Sequence, residues 1–96
     1  MTNQKEDSSK KRWFLSPYKK PPKSLKWRDA ERIIQALGAV FIRQKGSHRY
    51  YKRKVENKTY PIIIPTSNDI DGALLRSIIR QTGVGKKKFW EKYFNE

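Results

Sequence analysis

AVFIRQKGSHRYYKRKVENKTYPIIIP, residues 39–65, decides the fold. AVFIRQK is a β-prone run, Gly46 and Ser47 carry turn chemistry, and HRYYKRKV continues as a second strand of aromatic and basic residues. Glu56, Asn57 and Lys58 read as a second polar turn, and TYPIII reads as a third strand ended by Pro65. Three short runs separated by turns predict an antiparallel meander.

Helical spacing flanks this sheet on both sides. Trp27, Ala30, Ile33, Ile34 and Leu37 recur at steps of three and four with charged residues between them, and Gly38 follows as a stop. After TSND the same spacing returns in Leu74, Leu75, Ile78 and Ile79, with Asp69 or Asp71 as the cap and Gly83 as the terminator. In KKKFWEKYF, Phe89 and Trp90 stand four residues before Tyr93 and Phe94, which predicts a short last helix covering the edge of the core. The order is α, β, β, β, α with an added helix. That order predicts an α+β fold, with helices on one face of a three-stranded antiparallel sheet.

Residues 1–23 break the pattern. They are rich in lysine, hold prolines at 17, 21 and 22, and keep neither helical nor strand periodicity, so they read as a basic disordered tail ahead of one domain over 24–96. Lys5, Lys10, Lys11, Arg12, Lys19, Lys20 and Lys23 are opposed there only by Glu6 and Asp7. The tail is a solubilising leader or an arm for phosphates, and its cluster Trp13, Phe14, Leu15 and Tyr18 fits docking or stacking equally well.

A net charge of +14 on 96 residues, with a pI near 10.3, exceeds what solubility requires and points to a polyanionic partner, nucleic acid first. The absence of cysteine removes disulfides and thiolate metal sites, and a single histidine makes a protein-built zinc site improbable, so no metal or other cofactor is expected. No run approaches membrane-spanning length, and the first residues lack the apolar stretch of a secretory signal. The expected location is the cytoplasm.

Around the Gly46–Ser47 turn the chain concentrates Arg43, Lys45, His48 and Arg49, with Lys52 and Arg53 further along the same strand. Arginine binds phosphate through paired N–H groups, lysine adds a point charge, and a Gly-Ser turn can bring backbone N–H groups to an anion. Histidine adds a group that exchanges a proton near neutral pH. Taken by itself, a lone histidine beside a turn is more often structural than catalytic. Strand alternation sets His48, Tyr50 and Lys52 on one face and Arg49, Tyr51 and Arg53 on the other, leaving open which tyrosine packs under a helix.

The segments IIQALG, RQKGSHRYY and LLRSIIRQTGV, over roughly residues 26–83, resemble the HicA (YcfA-like) family of toxin ribonucleases in order and spacing. The resemblance implies a fold similar to the double-stranded RNA-binding domain, mRNA cleavage, and neutralisation by a HicB-type antitoxin. Carried over by position, the catalytic histidine is His48. Many members also carry Pro-x-His near the end of the third strand, where this chain has Ile62, Ile63, Ile64 and Pro65. Two functions follow: a metal-independent endoribonuclease toxin, with Arg43, Lys45 and Arg49 holding the phosphate, or a non-catalytic RNA-binding module built on the same basic surface.

Overall fold

The computed structural model describes residues 20–95; the tail expected over 1–23 falls largely on residues outside that range. Two-residue strand β1 (Ser24–Leu25) leads into helix α1 (Trp27–Ala36). The meander follows as β2 (Val40–Lys45), β3 (His48–Val55) and β4 (Lys58–Pro65), then β5 (Ile70–Asp71), α2 (Gly72–Thr82) and α3 (Lys86–Tyr93). The three long strands form one antiparallel sheet in the order β2-β3-β4, as the sequence predicts.

A second, small sheet was not legible in the sequence. β1 pairs antiparallel with β5, Ser24 opposite Asp71 and Leu25 opposite Ile70. Leu25 and Ile70 are both buried, so two residues at the domain's start tie the entry of α1 to the entry of α2. Such a short pair has no period to read. The expected cap resolves in the same place: Asp71 occupies the N-cap of α2 but makes no side-chain capping bond, and Asp69 pairs with Lys26 at 2.8 Å across the surface. Both partners of that pair are exposed, so it adds little to stability.

Helix ends follow their glycines. Gly38 stands at φ +100°, its N–H donates to Gln35 O at 3.0 Å, and the Ala39 N–H donates to Ile34 O at 2.9 Å. This reciprocal pair closes α1 and turns the chain into β2. Gly83, at φ +78°, ends α2 under the ring of Tyr60, where any Cβ would collide with the aromatic carbons. Neither demand can be met by an ordinary L-residue without strain.

The core lies between the sheet and the helices. Ala30, Ile33 and Ile34 from α1, Leu75, Ile78 and Ile79 from α2, and Phe89 from α3 pack on Tyr51, Ile62 and Ile64 of the sheet. Trp90 and Tyr93 close over the side of that core, the role the aromatic spacing of α3 predicts. The β3–β4 turn is tighter than expected, because Lys58 pairs with Val55 and only Glu56 and Asn57 connect the strands. Pro61 and Pro65 share the outward parity of Ile63, whose N–H leaves the sheet to donate to Gln81 Oε1 of α2 at 2.9 Å. Their missing N–H groups therefore cost no ladder bond.

Candidate functional site

β3 is the central strand, and its alternation divides the basic residues between two environments. Even-numbered residues face away from the helices. His48 lies opposite Lys45 and Pro65, Tyr50 opposite Arg43 and Ile63, and Lys52 opposite Val40 and Pro61. The strands bring no acidic side chain to this open face; the one acid between residues 40 and 65 is Glu56, in the far turn. Arg43 lies over the Tyr50 ring at 5.1 Å from its centroid, within the range of cation–π attraction. Lys45, His48 and Lys52 are exposed, and their side chains have no hydrogen-bond or ion-pair partner among the described residues.

Odd-numbered residues face the helices, and there the cations are engaged. Tyr51, 1% exposed, is the tyrosine that packs in the core. Its hydroxyl donates to Glu31 Oε2 of α1 at 2.5 Å and accepts from Arg49 Nε at 2.9 Å. Arg49 Nη2 donates to the same Glu31 oxygen at 2.8 Å, and Nη1 donates to Gln44 Oε1 at 2.8 Å. The guanidinium also lies 4.2 Å from the Phe41 ring centroid and 5.0 Å from that of Trp27. Burial, reinforced by the bond to Glu31, pushes the Tyr51 hydroxyl up to about 12. The hydrogen bond with Tyr51, with Glu31 beside it, raises the Arg49 pKa further.

Arg53 is committed to the fold in a different way. Its Nε donates to Leu37 O at 3.0 Å and its Nη1 to Thr82 O at 2.8 Å, while the guanidinium lies 5.5 Å from the Tyr60 ring centroid. Leu37 is the C-cap of α1 and Thr82 the last residue of α2. One cation thus satisfies a terminal carbonyl from each helix, where the helix dipoles favour positive charge.

The turn between β2 and β3 is held at both of its carbonyls. Gln44 Nε2 donates to Gly46 O at 3.0 Å, and Ser47 O accepts from the Thr66 N–H at 2.7 Å and from Thr66 Oγ1 at 3.2 Å. Gly46 takes φ +58°, which its missing Cβ permits. Among the described residues the Gly46 and Ser47 N–H groups have no backbone acceptor. The structure therefore gathers Arg43, Lys45, Gly46, Ser47 and His48 at one end and one face of the sheet, places Lys52 on the same face four residues further along β3, opposite Val40, and sets Arg49 and Arg53 on the other face, bonded to the helices. Sequence reading missed Glu31 and Gln44; the only trace of Glu31 is that it stands one helical turn after Trp27, on the same side of α1.

Two basic or polar groups beside an exposed imidazole can hold an anion and move a proton next to it. A family model described as HicA toxin of bacterial toxin-antitoxin matches residues 27–84. The matched span runs from the first residue of α1 to just past the end of α2, and takes in the whole sheet but not α3. Comparison with curated proteins gives no match.

Proposed function

The chain belongs to the HicA family of toxins of bacterial toxin–antitoxin systems, and from that premise we propose that it is an endoribonuclease whose acid–base group is His48. The observation that carries this reading is the position of His48. Among the described residues it is an exposed imidazole without a partner, at the end of a face to which the strands bring no acidic side chain, beside a turn whose N–H groups have no backbone acceptor. RNA, and mRNA as the cellular form, is the substrate that such a face attracts.

The chemistry needs no group beyond those present and the RNA. Neutral His48 takes the proton of a ribose 2′-hydroxyl, and the 2′-oxygen attacks the adjacent phosphorus. The bond from phosphorus to the 5′-oxygen breaks, that oxygen is protonated by the imidazolium or by water, and a 2′,3′-cyclic phosphate and a 5′-hydroxyl result. Arg43 and Lys45, with the turn's N–H groups, bind the phosphate and offset the charge that grows on its oxygens, while Lys52, about 13 Å further along the strand, meets a neighbouring phosphate of the same RNA. Arg49 and Arg53 support this face from behind, since their guanidinium groups are bonded toward the helices. DNA lacks the 2′-hydroxyl and is not cut.

An antitoxin protein is the expected partner. A HicB-type antitoxin that presents acidic residues to the open face would cover His48 and compete with RNA for the same cations.

The test compares wild type with His48→Ala on a defined single-stranded RNA, with the product ends identified. Loss of cleavage by at least about a hundredfold, with unchanged thermal unfolding and near-normal RNA affinity, is the expected result. Undiminished cleavage by His48→Ala sinks the assignment of His48. Wild-type protein that binds RNA and cuts none would instead make the chain an RNA-binding module.

A further inference from the structure

We propose that Gln44 is a positioning residue for the proposed reaction: through the Gly46 carbonyl it aims the Ser47 N–H at the phosphate beside His48. The inference rests on the reading of His48 as the acid–base group, and adds a residue that touches neither the proton nor the RNA.

The connection is a continuous run of hydrogen bonds. Glu31 Oε2 on α1 accepts from Arg49 Nη2 at 2.8 Å, Arg49 Nη1 donates to Gln44 Oε1 at 2.8 Å, and Gln44 Nε2 donates to Gly46 O at 3.0 Å. Gln44 is the one member with both a donor and an acceptor on a single planar group, so holding its oxygen fixes where its nitrogen points. Arg49 is itself held on three sides, by Glu31, by the Tyr51 hydroxyl and by the Phe41 ring 4.2 Å from its centroid. The relay therefore starts from a helix packed into the core and ends on a peptide unit of the turn.

That peptide unit joins Gly46 to Ser47. In a planar trans peptide the carbonyl and the following N–H point in opposite directions, so anchoring the Gly46 oxygen on Gln44 aims the Ser47 N–H away from it. The next peptide is anchored in the same manner, its Ser47 oxygen accepting from Thr66 N–H and Oγ1. A turn with glycine at φ +58° has other low-energy orientations available to its first peptide. The Gln44 bond selects one. An N–H donor held in place before the reaction stabilises developing negative charge without reorganising, which is the condition for a large effect on rate.

The experiment uses the full chain and two substitutions. Gln44→Glu keeps an acceptor for Arg49 and lacks the donor to Gly46; Gln44→Met keeps the volume and lacks both. With single-stranded RNA, kcat is expected to fall about tenfold to a hundredfold in both variants, while KM rises only in Gln44→Glu, whose added negative charge repels RNA. Thermal unfolding of Gln44→Glu stays near wild type because its ion pair with Arg49 replaces the lost bond. In parallel, the Ser47 amide resonance is followed during titration with inorganic phosphate, expected to shift in wild type and to lose most of that shift in both variants. Wild-type kcat in the two variants, with His48→Ala inactive, overturns the role of Gln44 and leaves the ribonuclease reading intact. If wild type cuts no RNA, the ribonuclease reading fails by itself and the phosphate titration decides. A Ser47 amide that does not respond in wild type, or responds equally in the variants, overturns the inference.

Discussion

The two faces of β3 are built from nearly the same residue types and do opposite things. On one face Tyr50 and Lys52 stand open beside His48, and on the other Arg49, Tyr51 and Arg53 are bonded to groups on the helices. Each face has a tyrosine beside arginine, but among the described residues only the helix side has a carboxylate bonded to them. Glu31 and the carbonyls of Leu37 and Thr82 draw in the cations of the helix side. Among the described residues the open side offers no such acceptor to Lys45 or Lys52, whose side chains are left without a partner. Basic residues in a strand are therefore not equivalent phosphate ligands; the supply of acceptors behind them decides which remain free.

The largest difference between the faces is expected in stability. Tyr51→Ala removes a buried ring and leaves Glu31 and Arg49 without their shared partner, for a loss of about 3–5 kcal/mol in urea unfolding. Tyr50→Ala, in the adjacent position, costs no more than about 1 kcal/mol. Equal losses at the two positions would break the comparison.

Next in size is Glu31→Ala. It leaves the half-buried Arg49 guanidinium without its counter-charge, and a loss of about 2 kcal/mol is expected, less than for a fully buried pair because both side chains keep some contact with water. Stability within about 0.5 kcal/mol of wild type would mean that water replaces the carboxylate, and that the helix side is no more committed than the open one.

A third contrast is in neighbouring positions and separates binding from folding. Lys52→Ala is expected to lower the salt dependence of RNA binding by about one phosphate contact, a slope change of roughly 0.7–0.9, with unfolding unchanged. Arg53→Ala is expected to leave that slope alone and to lower stability by about 1–3 kcal/mol, through the two helix-end carbonyls it abandons. A lower slope in Arg53→Ala would place its guanidinium on RNA after all.

The smallest effect is confined to alkaline pH. Tyr51 ionises near 10 in the unfolded chain and near 12 in the folded one. Between those values the unfolded state binds fewer protons, so stability falls as pH rises; below about 10 the contribution is fully present. Tyr51→Phe removes the group, and the difference between wild type and variant should shrink across pH 10 to 12 in urea titrations. A difference that stays constant over that window would show that the hydroxyl does not resist ionisation.

Much of this arrangement is legible in residues 39–65. Turn chemistry at Gly46–Ser47, the run of isoleucines and the helical spacing on either side are local signals, and each reports an element that forms. Strand alternation also separates His48 from Arg49 correctly, because the side-chain period of a strand is a property of its backbone. Local signals stop at the element's edge. Arg49 and Lys45 look alike as phosphate ligands until Glu31, eighteen residues before Arg49, is brought beside it by the packing of α1 on the sheet. Gln44 reads as a neutral polar residue until its two ends are seen to meet Arg49 and Gly46.

By itself, then, the sequence determined the order of helices and strands, the parity that faces His48 away from the core, and a net charge of +14. The choice between Tyr50 and Tyr51, the commitment of Arg49 and Arg53 to helix groups, the β1–β5 pair and the relay through Gln44 were decided by tertiary structure. Backbone periods and turn propensities act over a few residues and are written in their neighbours. The fate of a charged side chain depends on which acceptor folding places within about 3 Å of it, and that acceptor comes from a distant part of the chain.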